Sequence, residues 1–510
     1  MGCAESVMAY LSCILDGPLA QASNPIFLAR WAERHFEEQS YAVWTPPGWG
    51  GQDYHRFQWS SVVVVQQDRD LNRDLSGEEP DSLDLNSHPK NPFQYFAQAC
   101  AKSEVDLTQG NTWLLLTYQA YQLFEPVLNN LPKRPYPVNQ PLYCLVAFEK
   151  ELRWHAETRI LELWAPDDVA ESLWRQILDF WQTETSPVNQ PPKDSQGSSP
   201  QALSTELLLS GWTLSETPES FTTKVSHILN AIQAGEVYQA NLSLMLQRRL
   251  DLEQESPWAL FASILASSTL PYAAPYAMMA KTPWGFLLSN SPEMLVSLET
   301  GGTIYSRPIA GTRGRGDTAE EDRTIGETLR QNPKERAEHL MLVDLIRNDL
   351  GRICRAGSVD VPELMVLERY PHITHIVSLV RGRLKENTDL YTVLQALFPG
   401  GTITGCPKIR CIQLLNKHED IDRGVYTGSA GTFSMSPDGQ SLRSLKSNIL
   451  IRTLWLSPVV GKMPSLTYDA TIHVGAGIVA DSVAGDEYRE CLRKAQTLLG
   501  VLYDRNNGRE

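Results

Sequence analysis

Two Glu-x-x-Glu pairs, Glu335 with Glu338 and Glu487 with Glu490, have the spacing that most directly suggests chemistry. Residues three apart share a helix face, so each pair aims two carboxylates at one point. Asn332-Pro333 ahead of the first pair is a cap and first-turn signal. Around the second pair, Tyr488, Cys491, Leu492, Ala495, Leu498, Leu499 and Leu502 recur at helical spacing. Two such helices facing each other make an oxygen-rich socket for a hard cation such as Mg²⁺, which takes one or two carboxylates, several waters and the substrate. Taken alone, such a pair is most often a solvated helix face.

The run Gly400-Gly401-Thr402-Ile403-Thr404-Gly405, followed by Cys406-Pro407-Lys408, reads as a loop feeding a helix, with Pro407 in the first turn and amides free for a carboxylate or phosphate. Gly475-Ala476-Gly477-Ile478-Val479-Ala480 fits a dinucleotide fingerprint, but too little chain follows for a second strand and an acidic residue. NAD binding is therefore excluded, and these glycines are expected to let backbone approach a ligand or strand closely. Arg452 lies in a strand-like apolar run, where a guanidinium calls for a carboxylate partner. His372 and His375 are candidates for ligand or acid/base duty, although a histidine among Ile373, Ile376 and Val377 is more often a satisfied core residue.

The elements that must position these groups follow from pattern. Helices are predicted over 219–234, 334–348, 390–397, 406–415 and 486–502, and strands over 284–288 and 470–474. Earlier in the chain, 57–66, 112–118, 142–148 and 152–164 have the β-branched and aromatic content of strands. The acidic stretch 68–91 and the Pro/Ser/Gln/Gly-rich stretch 183–204 read as poorly ordered. The expected organisation is a β-rich N-terminal region over 1–195, a linker or surface loop at 183–204, and a catalytic region over 205–510. The expected fold is α+β, with large mixed or antiparallel sheets in a layered sandwich and helices outside.

Composition removes other classes. A net charge of −15 over 510 residues argues against a nucleic-acid surface. No run of apolar residues is long enough to span a membrane, and no basic stretch precedes the first apolar segment. Eight cysteines without a C-x-x-C pair fit reduced thiols, so a cytoplasmic protein is expected.

Taken together, these residues closely resemble the chorismate-utilising enzymes, the family of anthranilate synthase component I, aminodeoxychorismate synthase component I, isochorismate synthase and salicylate synthase. The matching stretches run in family order from Tyr238-Gln-Ala-Asn-Leu-Ser243 through Ser291-Pro-Glu293, Arg307 to Arg313, Glu335 to His339, Val343 to Arg352, Phe398 to Arg410, Tyr426-Thr-Gly428 and Ile451-Arg-Thr453 to Gly475–Ser482. The resemblance implies Mg²⁺ held by Glu338 and Glu490, with Glu335 and Glu487 acting through water and the metal holding the ring carboxylate of chorismate. It implies Arg452 and Tyr426 as a clamp on the enolpyruvyl carboxylate. Further substrate contacts would come from Gly401, Thr402, Gly475, Ala476, Gly477, Lys494, Ala310, Thr312 and Gln239. Glu293, His375 and Lys408 are implied as catalytic, with Glu293 and His375 near the departing 4-hydroxyl and the proton to be removed.

Isochorismate and salicylate synthases carry a lysine, the general base for water, where this chain has Gln239. Ammonia is then the better nucleophile, which implies a glutamine amidotransferase subunit, component II, as partner. Ala310 stands where some aminodeoxychorismate synthases have a nucleophilic lysine. Phe398 to Gly405 reads Phe-Pro-Gly-Gly-Thr-Ile-Thr-Gly, Tyr426-Thr-Gly-Ser429 replaces Tyr-Gly-Gly-Ala, and no Leu-Leu-Glu-Ser occurs in the N-terminal part. Ala310 is as in anthranilate synthase and in another branch of aminodeoxychorismate synthases, whereas the other three features favour amination to 4-amino-4-deoxychorismate for p-aminobenzoate and folate synthesis. Anthranilate synthase is the alternative, ahead of isochorismate synthase or a non-catalytic chorismate-binding subunit.

Overall fold

The computed structural model describes residues 8–14, 42–45, 55–68, 93, 96–97, 107–109, 112–136, 140–155, 160–184, 204–252, 256–267, 274–369, 373–459 and 467–507. The stretches 68–91 and 183–204, read above as poorly ordered, lie almost entirely outside these residues, as do Tyr370 and His372.

The scaffold begins with the strand Gln239–Asp251, which pairs along its length with Thr467–Ile478, from Thr467 opposite Asp251 to Ile478 opposite Ala240. Side chains alternate across a strand. Ala240, Leu242, Leu244 and Leu246 therefore enter one core, and Gln239, Asn241 and Ser243 point the other way. That core is closed by Phe221, Val225 and Ile228 of the helix Pro218–Gln233 and by Cys491, Ala495, Leu498 and Leu499 of the helix Ala484–Asn507. The second is apolar on the face the sequence marked.

From Thr467–Ile478 the pairing continues through Thr453–Pro458, Gly285–Ser291, Tyr276–Thr282, Ala42–Thr45, His55–Asp68 and Pro141–His155. It then passes through Thr112–Leu116, Ser429–Met435, Leu442–Asn448, Met294–Leu298 and Thr303–Ser306 to Ile373–Arg383, which also pairs Ile309–Gly314 and Asp360–Arg369. Every one of these ladders is antiparallel. Strands from the first third thus bridge two groups of later strands, and a second core forms where they meet: Trp113, Cys144 and Val146 pack with Met278, Leu287 and Trp455.

The helix carrying Glu335 and Glu338 runs over Pro333–Ile353 and is capped as its sequence requires, with Asn332 Oδ1 accepting from the amides of Lys334 and Glu335. The helix predicted from Cys406 instead starts at Lys408, and Pro407 is its cap. Gly405 and Cys406 are taken by a short ladder with Ala240 and Gln239, where Gly405 (φ +128°) lies so close that a Cβ would sit 2.1 Å from the Gln239 carbonyl oxygen. Only glycine permits that approach. The helices Asp167–Glu184, Pro257–Ser267 and Ala319–Gln331 were not anticipated.

Trp113 is fully buried where early and late strands share a core. Trp113→Ala is expected to cost about 3–5 kcal/mol, read as a lower denaturation midpoint by a probe in the C-terminal half. A shift confined to N-terminal probes would contradict a shared core.

Candidate active site

Gln239, at the start of its strand, donates from Nε2 to Glu338 Oε1 at 3.4 Å, while its own Oε1 is buried without a partner. Gly477, opposite Asn241 in the ladder, has the same Gln239 Nε2 2.6 Å from where a Cβ would stand, and Glu338 Oε1 at 4.0 Å. The first Glu-x-x-Glu helix thus meets the central ladder at its glycines. Glu335 lies 2.9 Å from a Cβ placed on Gly311, which has φ +62°, and accepts from Arg313 at 3.1 Å.

The second pair approaches the same place. Lys494 Nζ binds Glu490 Oε1 at 3.0 Å and the Gly475 carbonyl at 2.9 Å. Burial raises the Glu338 pKa, and the charges of Glu335 and Glu490 raise it further against Lys334 and Lys494. Glu487 is raised by burial and by Glu490, against a hydrogen bond from Ser482. Glu490 also feels burial, but Lys494 outweighs it and holds the carboxyl below its ordinary range. Mutual repulsion marks carboxylates that share one space. Among the described residues no three His, Cys, Asp or Glu side chains are close enough to cage a metal by themselves. A Mg²⁺ ion does not require a closed cage, because one or two carboxylates with water and substrate complete its shell. Glu338 and Glu490 fit that demand.

Cationic and polar groups face this acidic patch. Arg452 stands just before the strand Thr453–Pro458, not within it, at φ +52°. Its guanidinium donates to the Lys494 carbonyl at 3.1 Å and has no carboxylate within ion-pair distance among the described residues. The partner expected from sequence is therefore not a protein residue in direct contact. Burial lowers the Arg452 pKa against the fields of Tyr426 and Glu490. Tyr426 is buried, and its hydroxyl lies 2.6 Å from where a Gly475 Cβ would be. Asn241 Oδ1, buried and unpartnered, lies 2.4 Å from that same point. Ala476 turns its methyl into the core, so only its backbone is available to a ligand.

Glu293 is buried, and its pKa is pushed up to about 7 by that burial, against pull-back from the Thr402 side chain and the Lys494 charge. Gly401–Thr404 forms one short helical turn rather than an open loop. His375 lies in the strand Ile373–Arg383 opposite Thr312, whose side chain falls outside the described residues, and next to Ala310 at Ile376. Burial lowers the His375 pKa, Gly311 and Glu368 oppose it, and Arg452 reinforces it.

Lys408 does not join these groups. Its Nζ bonds the carbonyls of Ala396 and Leu397 at 3.2 and 3.1 Å and pairs with Asp349 at 3.0 Å, with both side chains nearly buried. An ammonium held by three acceptors ties the end of the Leu390–Leu397 helix to the Pro333–Ile353 helix. The catalytic role expected for it has no geometric basis.

A family model described as chorismate binding enzyme matches residues 56–500. The chain belongs to the chorismate binding enzyme family. It is 37% identical to an anthranilate synthase component I-like protein of Synechocystis sp. over 429 residues, 81% of this chain and 79% of that protein. It is 42% identical to aminodeoxychorismate synthase component 1 of Bacillus subtilis over 286 residues, 56% of each chain, so this match spans about half the length of that relative. The crystal structure of anthranilate synthase component I from Streptococcus pneumoniae TIGR4 shares the fold, with a TM-score of 0.67 at 23% identity over 88% of this chain and 92% of that one.

In this chorismate binding enzyme, Asn241 also reaches the site, Glu419 and Arg423 stand behind it, and none of the three was singled out from sequence. Arg423 and Glu419 are four apart, but the helix Lys408–His418 has already ended, so helical spacing gave no signal. Gly475→Ala would drive a methyl between Asn241, Tyr426 and the Leu242 carbonyl. The expected result is a loss of about 10²-fold in kcat/KM for chorismate in a chain that still melts cooperatively, its midpoint lowered by the ~1–3 kcal/mol that such overpacking costs. Unaltered kinetics would separate Gly475 from the site.

Proposed function

We propose that this chain aminates chorismate to 4-amino-4-deoxychorismate, with ammonia delivered by a glutamine amidotransferase subunit and Mg²⁺ bound at Glu338 and Glu490. The observation that carries the choice of nucleophile is Gln239. A neutral amide, hydrogen-bonded to Glu338, occupies the position that opens onto the site, and an amide cannot take a proton from water. Ammonia needs no such base.

The net reaction joins chorismate and ammonia and releases water: a C–N bond forms and the bond from ring carbon 4 to its hydroxyl oxygen breaks. Hydroxide leaves poorly, and Glu293, whose carboxyl keeps its proton to about pH 7, is placed to supply one. General acid catalysis of this kind contributes about 10²–10⁴-fold. The incoming nitrogen sheds a proton, which restores the acid, so the cycle needs no further reactant. Mg²⁺, when bound, would hold the ring carboxylate and stabilise charge that develops toward it. Arg452, with no carboxylate in contact among the described residues, binds the enolpyruvyl carboxylate, and Tyr426 hydrogen-bonds beside it. His375, whose pKa burial lowers, lies near enough to Arg452 to feel its charge.

A product that keeps its enolpyruvyl group is supported by the Phe398–Gly405 and Tyr426–Ser429 sequences and by the name of the Bacillus relative. Anthranilate remains the second reading, favoured by the name of the Synechocystis relative.

Chorismate consumption by the purified chain is expected to require both Mg²⁺ and ammonium and to fall below a hundredth in Glu338→Gln at saturating Mg²⁺. Consumption without ammonium, giving a hydroxylated isomer, would overturn the choice of nucleophile. With rates referred to free ammonia, kcat is expected to fall as pH rises through about 7, because the acid form of Glu293 is lost there. Glu293→Gln should be slow and lack this limb. An identical alkaline limb in Glu293→Gln would assign the titration elsewhere.

A further inference from the structure

Arg423 is a fully buried guanidinium that touches three separate segments of the substrate wall. Its Nε and Nη2 bind the Glu419 carboxylate at 2.9 and 2.7 Å. Its Nη1 donates to the Ile403 carbonyl at 2.9 Å, inside the Gly401–Thr404 turn, and to Thr427 Oγ1 at 3.3 Å. Its Nη2 also donates to the Asn241 carbonyl, on the strand that carries Gln239. Glu419 holds that same strand from the other side, accepting from the Ser243 amide at 3.0 Å and hydroxyl at 2.8 Å.

The backbone around Arg423 extends the hold. Its carbonyl accepts from the Tyr426 amide at 3.1 Å and from His473 Nδ1 at 3.0 Å, two residues before Gly475. Thr427, at φ +61°, returns its hydroxyl to the Tyr426 carbonyl at 2.6 Å. The guanidinium lies over the ring of Tyr118 at 4.6 Å and within 5.8 Å of the Tyr426 ring. A planar five-donor group can bind a carboxylate and two carbonyls at fixed angles, and an ammonium cannot.

We propose that Arg423, fixed by Glu419, is the positioning residue that sets the mutual spacing of the Gly401–Thr404 turn, the Gln239–Ser243 strand segment and Tyr426, and so tunes the grip on the substrate's carboxylate side. It does not touch substrate. Glu335, Glu338, Glu487 and Glu490 stand on the helices Pro333–Ile353 and Ala484–Asn507, which Arg423 does not contact through any hydrogen bond among the described residues. The link from this strand to that set is the long 3.4 Å hydrogen bond from Gln239 to Glu338, so disturbing Arg423 should loosen chorismate far more than the metal. A group that merely stabilised the fold would affect both or neither.

This inference rests on the chorismate site described above, so the test measures binding as well as turnover. Calorimetric titration of the full chain with chorismate in Mg²⁺, and separately with Mg²⁺ alone, is made for wild type, Arg423→Lys and Glu419→Gln, each checked for a cooperative melt. The expected result is chorismate affinity and KM weakened about tenfold or more in both variants, Mg²⁺ affinity within twofold of wild type, and a smaller change in kcat than in KM. Glu419→Gln keeps the shape and the Ser243 contacts, so it decides the matter if Arg423→Lys fails to fold. A folded variant that binds chorismate as wild type does would overturn the positioning role, as would equal losses for chorismate and Mg²⁺. Wild-type chain that binds no chorismate would instead refute the proposed function.

Discussion

The ladder between Gln239–Asp251 and Thr467–Ile478 is the constraint on which the site depends. An antiparallel register admits no gradual slip, because a shift of one residue turns every side chain to the other face. Here such a shift would turn Ala240, Leu242 and Leu244 toward the polar wall of the site and drive Gln239, Asn241 and Ser243 into the apolar core. The apolar core against two helices therefore fixes, without any ligand, that Gln239 stands by Gly477 and Asn241 by Gly475. Gly475 and Gly477 lie inside this strand, and the missing Cβ atoms leave space taken by Tyr426, Asn241 and Gln239 side chains.

Around that frame, charge is arranged so that neither sign is fully matched within the protein. Burial raises Glu338 and Glu487, and neighbouring carboxylates on the two helices raise both further. Arg452 and Lys494 sit nearby, with Lys494 committed to Glu490 and Gly475 and Arg452 bonded, among the described residues, only to a backbone carbonyl. Such an arrangement suits a dianion and a dication arriving together. Glu293 is different in kind: its wall is dry enough that the neutral acid persists near neutral pH, which suits a group meant to donate a proton.

Much of this was legible in the residues. The capped start of the Pro333–Ile353 helix follows directly from Asn332 and Pro333, and the apolar repeat after Glu487 marks its helix face. The close-approach role of Gly475 and Gly477 was also readable, because the residues after them carry the apolar repeat of one long helix and no second strand. Lys408 was misread because it follows a Gly-rich turn that faces the site, whereas its side chain turns back to Asp349 and two carbonyls. Arg423 was invisible for a related reason: its importance lies in contacts with Ile403 and Asn241, 20 and 182 positions away in sequence. The strand Gln239–Asp251 itself was missed as an element, since its first residues carry the alternation and its end, Gln247 to Asp251, is polar apart from Leu250.

The central claim, amination with the enolpyruvyl group retained, is tested most directly by product mass analysis after incubation of the purified chain with chorismate, Mg²⁺ and excess ammonium at alkaline pH. The account predicts an amino product that still carries its three-carbon side chain and becomes p-aminobenzoate only when a lyase is added. Fluorescent anthranilate with free pyruvate would contradict it.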